Sequence, residues 1–189
     1  MARLKSDDRR SAILSATVEL VAQQGTGAST ASIAKSAGVA EGSIFTYFET
    51  KDDLLNQIYL DLKRDLINAI LSGFPERGDL KARAHHVWQG YVAWGVSNPS
   101  KRKAMAQLSV SERISAGNKA RGLAMFAEVT IILSECVTRP AVRTMPASYP
   151  GSVFAAIADA TMDAIITDPS RSAEYSVAGF EALWNAVHE

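Results

Sequence analysis

The feature that most restricts the fold of this chain is a glycine set between two short helical runs. Residues 30–48 read Thr30-Ala31-Ser32-Ile33-Ala34-Lys35-Ser36-Ala37-Gly38-Val39-Ala40-Glu41-Gly42-Ser43-Ile44-Phe45-Thr46-Tyr47-Phe48. A helix over 31–37 can end at Gly38, because glycine adopts the left-handed conformation at little steric cost. Val39 then packs in the turn, and a second helix over about 41–48 places Ile44 and Phe48 on one stripe, four residues apart. With Ile33 and Ala34 facing them, a helix-turn-helix results, and Glu41, Gly42, Ser43, Thr46 and Tyr47 are left facing outward.

Helical spacing continues through the rest of the 189 residues: Ile13, Leu14, Thr17, Leu20 and Val21, then Leu54, Leu55, Ile58 and Leu62. Period-two alternation is hard to find, so an all-α fold is expected. Breaks at Gly25–Gly27, Gly38, Glu49-Thr50, 72–75, Asn98-Pro99, 115–117, 139–151 and Asp168-Pro169 divide the chain into nine helices. Thr50 followed by Asp53 predicts a capping box opening a long helix over 51–72. Asn98-Pro99 and Asp168-Pro169 each pair an N-cap residue with proline at the first helical position. The three prolines between Arg139 and Pro150 predict a loop there.

Formal charge is balanced, so a polyanion site must be a local patch. The N-terminal arm sets Arg3, Lys5, Arg9 and Arg10 against Asp7 and Asp8, a modest basic excess suited to flanking DNA backbone or to plain solvation. Lys101-Arg102-Lys103 opposes the dipole of the helix it opens and reads as a solvated face. Cys136 is the single cysteine, which excludes an internal disulfide and any multi-cysteine zinc site. A charged start and the lack of a long apolar run predict a cytoplasmic protein.

The stretch over 10–58 resembles the DNA-binding domain of the TetR family of bacterial transcriptional regulators. The resemblance rests on Thr30-x-x-Ile33-Ala34-x-x-Ala37-Gly38-Val39, then Gly42-Ser43-x-Phe45-x-x-Phe48, then Lys51-x-x-Leu54-Leu55. It implies a three-helix head over 1–52, whose third helix enters the major groove, and an effector-binding and dimerisation body over 53–189. On that basis Thr30 holds a phosphate at the start of the second helix, in keeping with the dipole there. Ser43, Thr46 and Tyr47 face groove or backbone, Gly42 permits close approach, and Lys51 contacts phosphate. Glu41 either accepts from a cytosine amine or repels the backbone. The family often has a hydroxyl residue where Ala40 stands and tyrosine where Phe45 stands; neither replacement keeps the polar contact.

Over 79–98 the apolar residues spread around the helix, which marks it as central. Trp88, Tyr91, Trp94, Met125 and Phe126 have the composition of either a packed core or an apolar ligand pocket. The resemblance implies a small-molecule effector in this part of the chain, with His85, Gln89 and Glu112 as polar partners. Adjacent histidines at 85 and 86 point about 100° apart on a helix, so no metal is expected, and no cofactor. Two apolar faces near the C-terminus include Val153, Ile157, Ala160 and Ala164, then Val177, Phe180, Trp184 and Val187. If one face stays exposed, two copies bury it as a four-helix bundle, which is also the family's usual homodimer. No nucleophile array stands out; Ser109 and Ser111 near Glu112 read as helix surface. The expected protein is a non-enzymatic repressor that releases a palindromic DNA operator on binding its effector. The alternatives are a helical small-molecule-binding enzyme, or an interaction protein whose helix-turn-helix is purely structural; the latter requires Thr46 and Tyr47 to be packed.

Overall fold

A computed structural model describes residues 2–75 and 77–189, with side chains from residue 6 onward. Among the described residues the regular structure is helical throughout: α1 (Ala2–Gln24), α2 (Thr30–Ala37), α3 (Glu41–Ile44), α4 (Lys51–Leu71), α5 (Leu80–Ser97), α6 (Pro99–Val110), α7 (Ala116–Ala124), α8 (Ala127–Glu135), α9 (Pro140–Arg143), α10 (Tyr149–Thr167) and α11 (Ser172–Val187). Single 3₁₀ turns at Gly25–Gly27 and Pro169–Arg171 complete the set. None of these helices is long and apolar enough to cross a membrane.

Among the described residues eleven helices stand where the breaker residues predict nine. One extra helix, α9, forms inside the proline-rich stretch, where Pro140 sits in the first turn and cannot interrupt a bond that does not exist there. The other arises because α7 and α8 are separated at Met125-Phe126, with Phe126 at φ −100° and ψ 12°. No glycine or proline marks that break. It falls where the chain passes from one compact unit to the other.

The first unit comprises residues 1–65 and 98–124, the second 66–97 and 125–189. In the first, α1 packs on α2 and α6, and α2 packs on α3. Ile13, Ile33, Ile44, Leu54 and Leu55 are fully enclosed, and the buried Thr17 is satisfied, its hydroxyl donating to the Ile13 carbonyl at 2.7 Å. The basic arm is the opening of α1 rather than an extended tail. The side chains of Arg3 and Lys5 lie outside those described.

In the second unit α10 packs on α5 and α11, and α5 also meets α8 and α11. The central position predicted for the 79–98 helix is therefore observed. Trp88 is fully buried, its indole N–H donating to the Ser176 carbonyl at 3.0 Å, and Phe154 meets it edge-on with ring centres 5.7 Å apart. Met162, Phe180, Leu183 and Val187 fill the same core. Two glycines leave no room for a side chain: a methyl group on Gly90 would lie 2.8 Å from the Ile70 Cα, and one on Gly179 would lie 2.2 Å from the Thr161 Oγ1.

Candidate nucleic-acid interface

The helix-turn-helix forms for the reasons its residues supply. Ser29, in an extended conformation, caps α2 by accepting from the Ser32 amide at 3.1 Å. Gly38 ends the helix at φ 68° and ψ 32°, its amide reaching the Ala34 and Lys35 carbonyls. Ala40 then stands at the start of α3 without a side-chain cap. The α-helical part of α3 is one turn, Glu41–Ile44, and the chain continues to Phe48 through bonds from the Thr46 amide to Ser43 and from the Tyr47 amide to Ile44. The recognition element is thus shorter as an α-helix than the expected 41–48, with a tighter last turn.

Ile33, Ala34, Ile44 and Phe48 are buried, and Arg10 lies over the Phe48 ring at 5.4 Å. Opposite this core, Glu41, Gly42 and Thr46 are exposed, Ser43 and Tyr47 half-buried. A side chain added at Gly42 would meet nothing within 4 Å. The purely structural reading needs Thr46 and Tyr47 to be packed; Thr46 is exposed and Tyr47 only half-buried. Tyr47 is held from the side by Ser6, whose hydroxyl lies 3.3 Å from the phenol oxygen.

Two expected contacts have partners of their own. Thr30 donates from Oγ1 to Glu41 Oε1 at 2.5 Å, joining the start of α2 to the start of α3. Lys51 donates from Nζ to the Thr26 carbonyl at 2.9 Å, so it also fastens the 3₁₀ turn after α1. Burial holds the Lys51 ammonium below its ordinary pKa, with the nearby Arg113 guanidinium adding repulsion. The capping box predicted at Thr50 is complete: the Thr50 amide donates to Asp53 Oδ2 at 3.0 Å, and the Asp53 amide donates to Thr50 Oγ1 at 3.1 Å.

Three neighbours of this surface are not among the site residues the sequence suggests. Phe45 is 49 % exposed, an apolar group beside Thr46 that suits a thymine methyl. Arg113, in the turn after α6, pairs with Asp52 at 2.8 Å and brings a second cation to the start of α4. Ser29 rather than Thr30 is the cap of α2. Only Ser29 carries a local signal, as a hydroxyl residue just ahead of a helix; Arg113 reaches the head across 61 residues of chain.

The residues considered for an effector are dispersed. Trp88 and Trp94 are buried, and Tyr91 is half-buried with its ring edge-on to Phe154 at 5.1 Å. Met125 and Phe126 are half-buried, Gln89 is exposed, and Glu112 is exposed and belongs to the first unit. His85 touches Phe180 at 4.6 Å between ring centres and lines a cleft of about 320 Å³ with Asp79, Lys81, Val177 and Glu181. Of the residues considered for subunit pairing, Phe180 and Val187 are turned into the second unit's own core. Val177 is 58 % exposed, Ala160 is exposed, and Val153, Ile157, Ala164 and Trp184 are half-buried.

A compact helix-turn-helix with a buried inner face and an open, hydroxyl-bearing outer face defines a DNA-binding head of the bacterial regulator class. Residues 13–58 match the family model described as bacterial regulatory proteins, tetR family. A structure assigned to the tetR family of transcription regulators, from Shewanella sp. PV-4, aligns over 95 % of this chain and 97 % of its own, with 26 % identity and a TM-score of 0.79. The chain thus carries the family's head over residues 13–58, and its likeness to a structure assigned to that family runs nearly end to end. A TetR family transcription regulator from Marinobacter aquaeolei VT8 shares the fold at a TM-score of 0.82 over 98 % of both chains, with 22 % identity. The fatty acid metabolism regulator protein of Bacillus subtilis is 35 % identical over 72 residues, a match spanning 38 % of this chain and 37 % of that one. The FadR regulator of the same organism, solved in complex with stearoyl-CoA, has the same fold at a TM-score of 0.69 and 18 % identity over 94 % of this chain and 98 % of its own.

Proposed function

We propose that the protein is a ligand-responsive transcriptional repressor, which binds a palindromic operator as a homodimer and releases it when a small effector enters the C-terminal body. The observation that carries the reading is the open outer face of the helix-turn-helix, with Thr46 and Phe45 exposed above a closed inner face. Thr46 and Ser43 are the base-facing candidates, with Glu41 beside them at the start of α3. Thr30, Tyr47 and Lys51 are the backbone candidates, and Gly42 leaves room for the duplex to approach.

The division of labour we favour is residues 1–52 for DNA and 53–189 for effector and dimer. The aromatic group around Trp88 is closed, so an effector there must part packed side chains, whereas the cleft beside His85 is already open. The bound lipid thioester of the Bacillus FadR makes long-chain acyl thioesters a sensible first probe. α4 carries residues of both units along one helix, and its movement is the means by which effector occupancy alters the two heads. A ligand does this only through unequal affinity for the two arrangements.

Fluorescence anisotropy of a labelled duplex from the protein's own promoter tests the reading. Binding is expected at nanomolar concentrations and moderate salt, and an effector is expected to weaken it at least about tenfold. Absence of any sequence-preferring complex would remove the proposal; a complex indifferent to every ligand tried would remove its ligand-responsive half.

A further inference from the structure

We propose that Glu41 is an internal stand-in for a DNA phosphate at the start of α2, held there by Thr30, and that every duplex must displace it. This rests on the DNA-binding reading above. α2 has no acidic residue in its first turn, although the positive end of a helix favours one. Glu41, eleven positions along the chain from Thr30, brings a carboxylate to that end, accepting the Thr30 hydroxyl at 2.5 Å. The extended conformation of Ala40, φ −69° and ψ 143°, turns the chain so that the first residue of α3 reaches back to α2.

A threonine hydroxyl has one proton to donate. It serves the carboxylate or a phosphate oxygen, and two anions at one donor also repel each other. Docking the backbone at Thr30 therefore breaks the Thr30–Glu41 bond and sends the exposed Glu41 side chain toward solvent or groove. Phosphate contacts carry no sequence information. The penalty consequently falls equally on operator and unrelated DNA, which separates it from a carboxylate that reads a cytosine amine.

The test is the dissociation constant of wild type, Glu41→Gln and Glu41→Ala on an operator and on an unrelated duplex, with helix content and melting temperature measured alongside. Glu41→Gln keeps an acceptor for Thr30 and removes only the charge. Glu41→Ala is expected to bind both duplexes about fivefold more tightly and Glu41→Gln, whose retained acceptor must still be displaced, by a smaller factor, and the gain from Glu41→Ala is expected to shrink below about twofold when Thr30→Val is also present. Unchanged or weaker binding to both duplexes by folded variants would overturn the inference while leaving the DNA reading intact. So would a loss confined to the operator with relaxed preference at one base pair, which would make Glu41 a base reader. Failure of the wild type on every duplex would end the DNA reading itself, and this inference with it.

Discussion

At the scale of single residues, Lys51 has two duties that a DNA measurement and a melting curve separate. Its ammonium fastens the Thr26 carbonyl, and on the proposed reading it also meets a phosphate. Lys51→Ala is expected to weaken binding on all sequences and to reduce the salt slope by about one. It should also cost about 0.5–1 kcal/mol of stability from the lost hydrogen bond at a half-exposed site. An unchanged slope with lowered stability would confine Lys51 to the structural duty. Thr46→Ala, at an exposed position, should leave stability within about 0.5 kcal/mol and shift preference among operators. A uniform loss of affinity would place Thr46 on the backbone instead, the behaviour expected of Tyr47→Phe. Cys136 offers a different check. Burial, and after it the charge of Glu135, pushes its thiol up to about 11. A thiol raised in the folded state is protonated in both states at lower pH, and the stability it reflects is lost only as pH climbs through the folded value. Iodoacetamide at pH 8 should therefore modify Cys136 slowly in the native protein and fully in denaturant; fast native modification would contradict its enclosure.

At the scale of elements, close helix approach is set by glycines that have no room to grow. Gly90→Ala presses a methyl against the backbone of α4, and Gly179→Ala presses one against Thr161 and Trp88. Each should destabilise by about 1–3 kcal/mol and lower the melting temperature by several degrees. Either variant melting like wild type would show that the helices slide apart at little cost. The same elements show which parts of the fold can be read from the chain. Gly38 and the Thr50–Asp53 box are local signals, complete within a few residues, and both stand in the structure as their chemistry predicts. The α7–α8 break has no such mark: it coincides with the passage from one unit to the other, and neither glycine nor proline stands at it. The Thr30–Glu41 and Lys51–Thr26 bonds are equally silent: each joins residues eleven or more apart, and either side chain alone reads as an ordinary surface group.

At the scale of the whole molecule, the amphipathic period of α10 and α11 announces two apolar faces without saying which is used internally. Phe180 and Val187 turn out to serve the unit's own core, and Val177 is left outside at 58 % exposure. If pairing of two copies uses this face, the 20.3 kDa chain should sediment at twice its mass. Val177→Asp should then shift it toward monomer without unfolding it, since a charge at the edge of an apolar contact is left unpaired on association. A monomeric wild type at micromolar concentration would contradict the pairing. The aromatic residues of α5 pose the same ambiguity from within: a ring stripe at helical spacing serves a core and a ligand cavity alike, and here Trp88 is fully enclosed.

The most direct test of a DNA-reading head is selection of bound sequences from random duplex DNA by the purified full chain. Enrichment of a palindrome with half-sites about one helical turn or more apart is the predicted result, since a twofold protein places two recognition elements on one face of the duplex. Recovery of sequences with no shared palindrome, from a folded and dimeric protein, would contradict it.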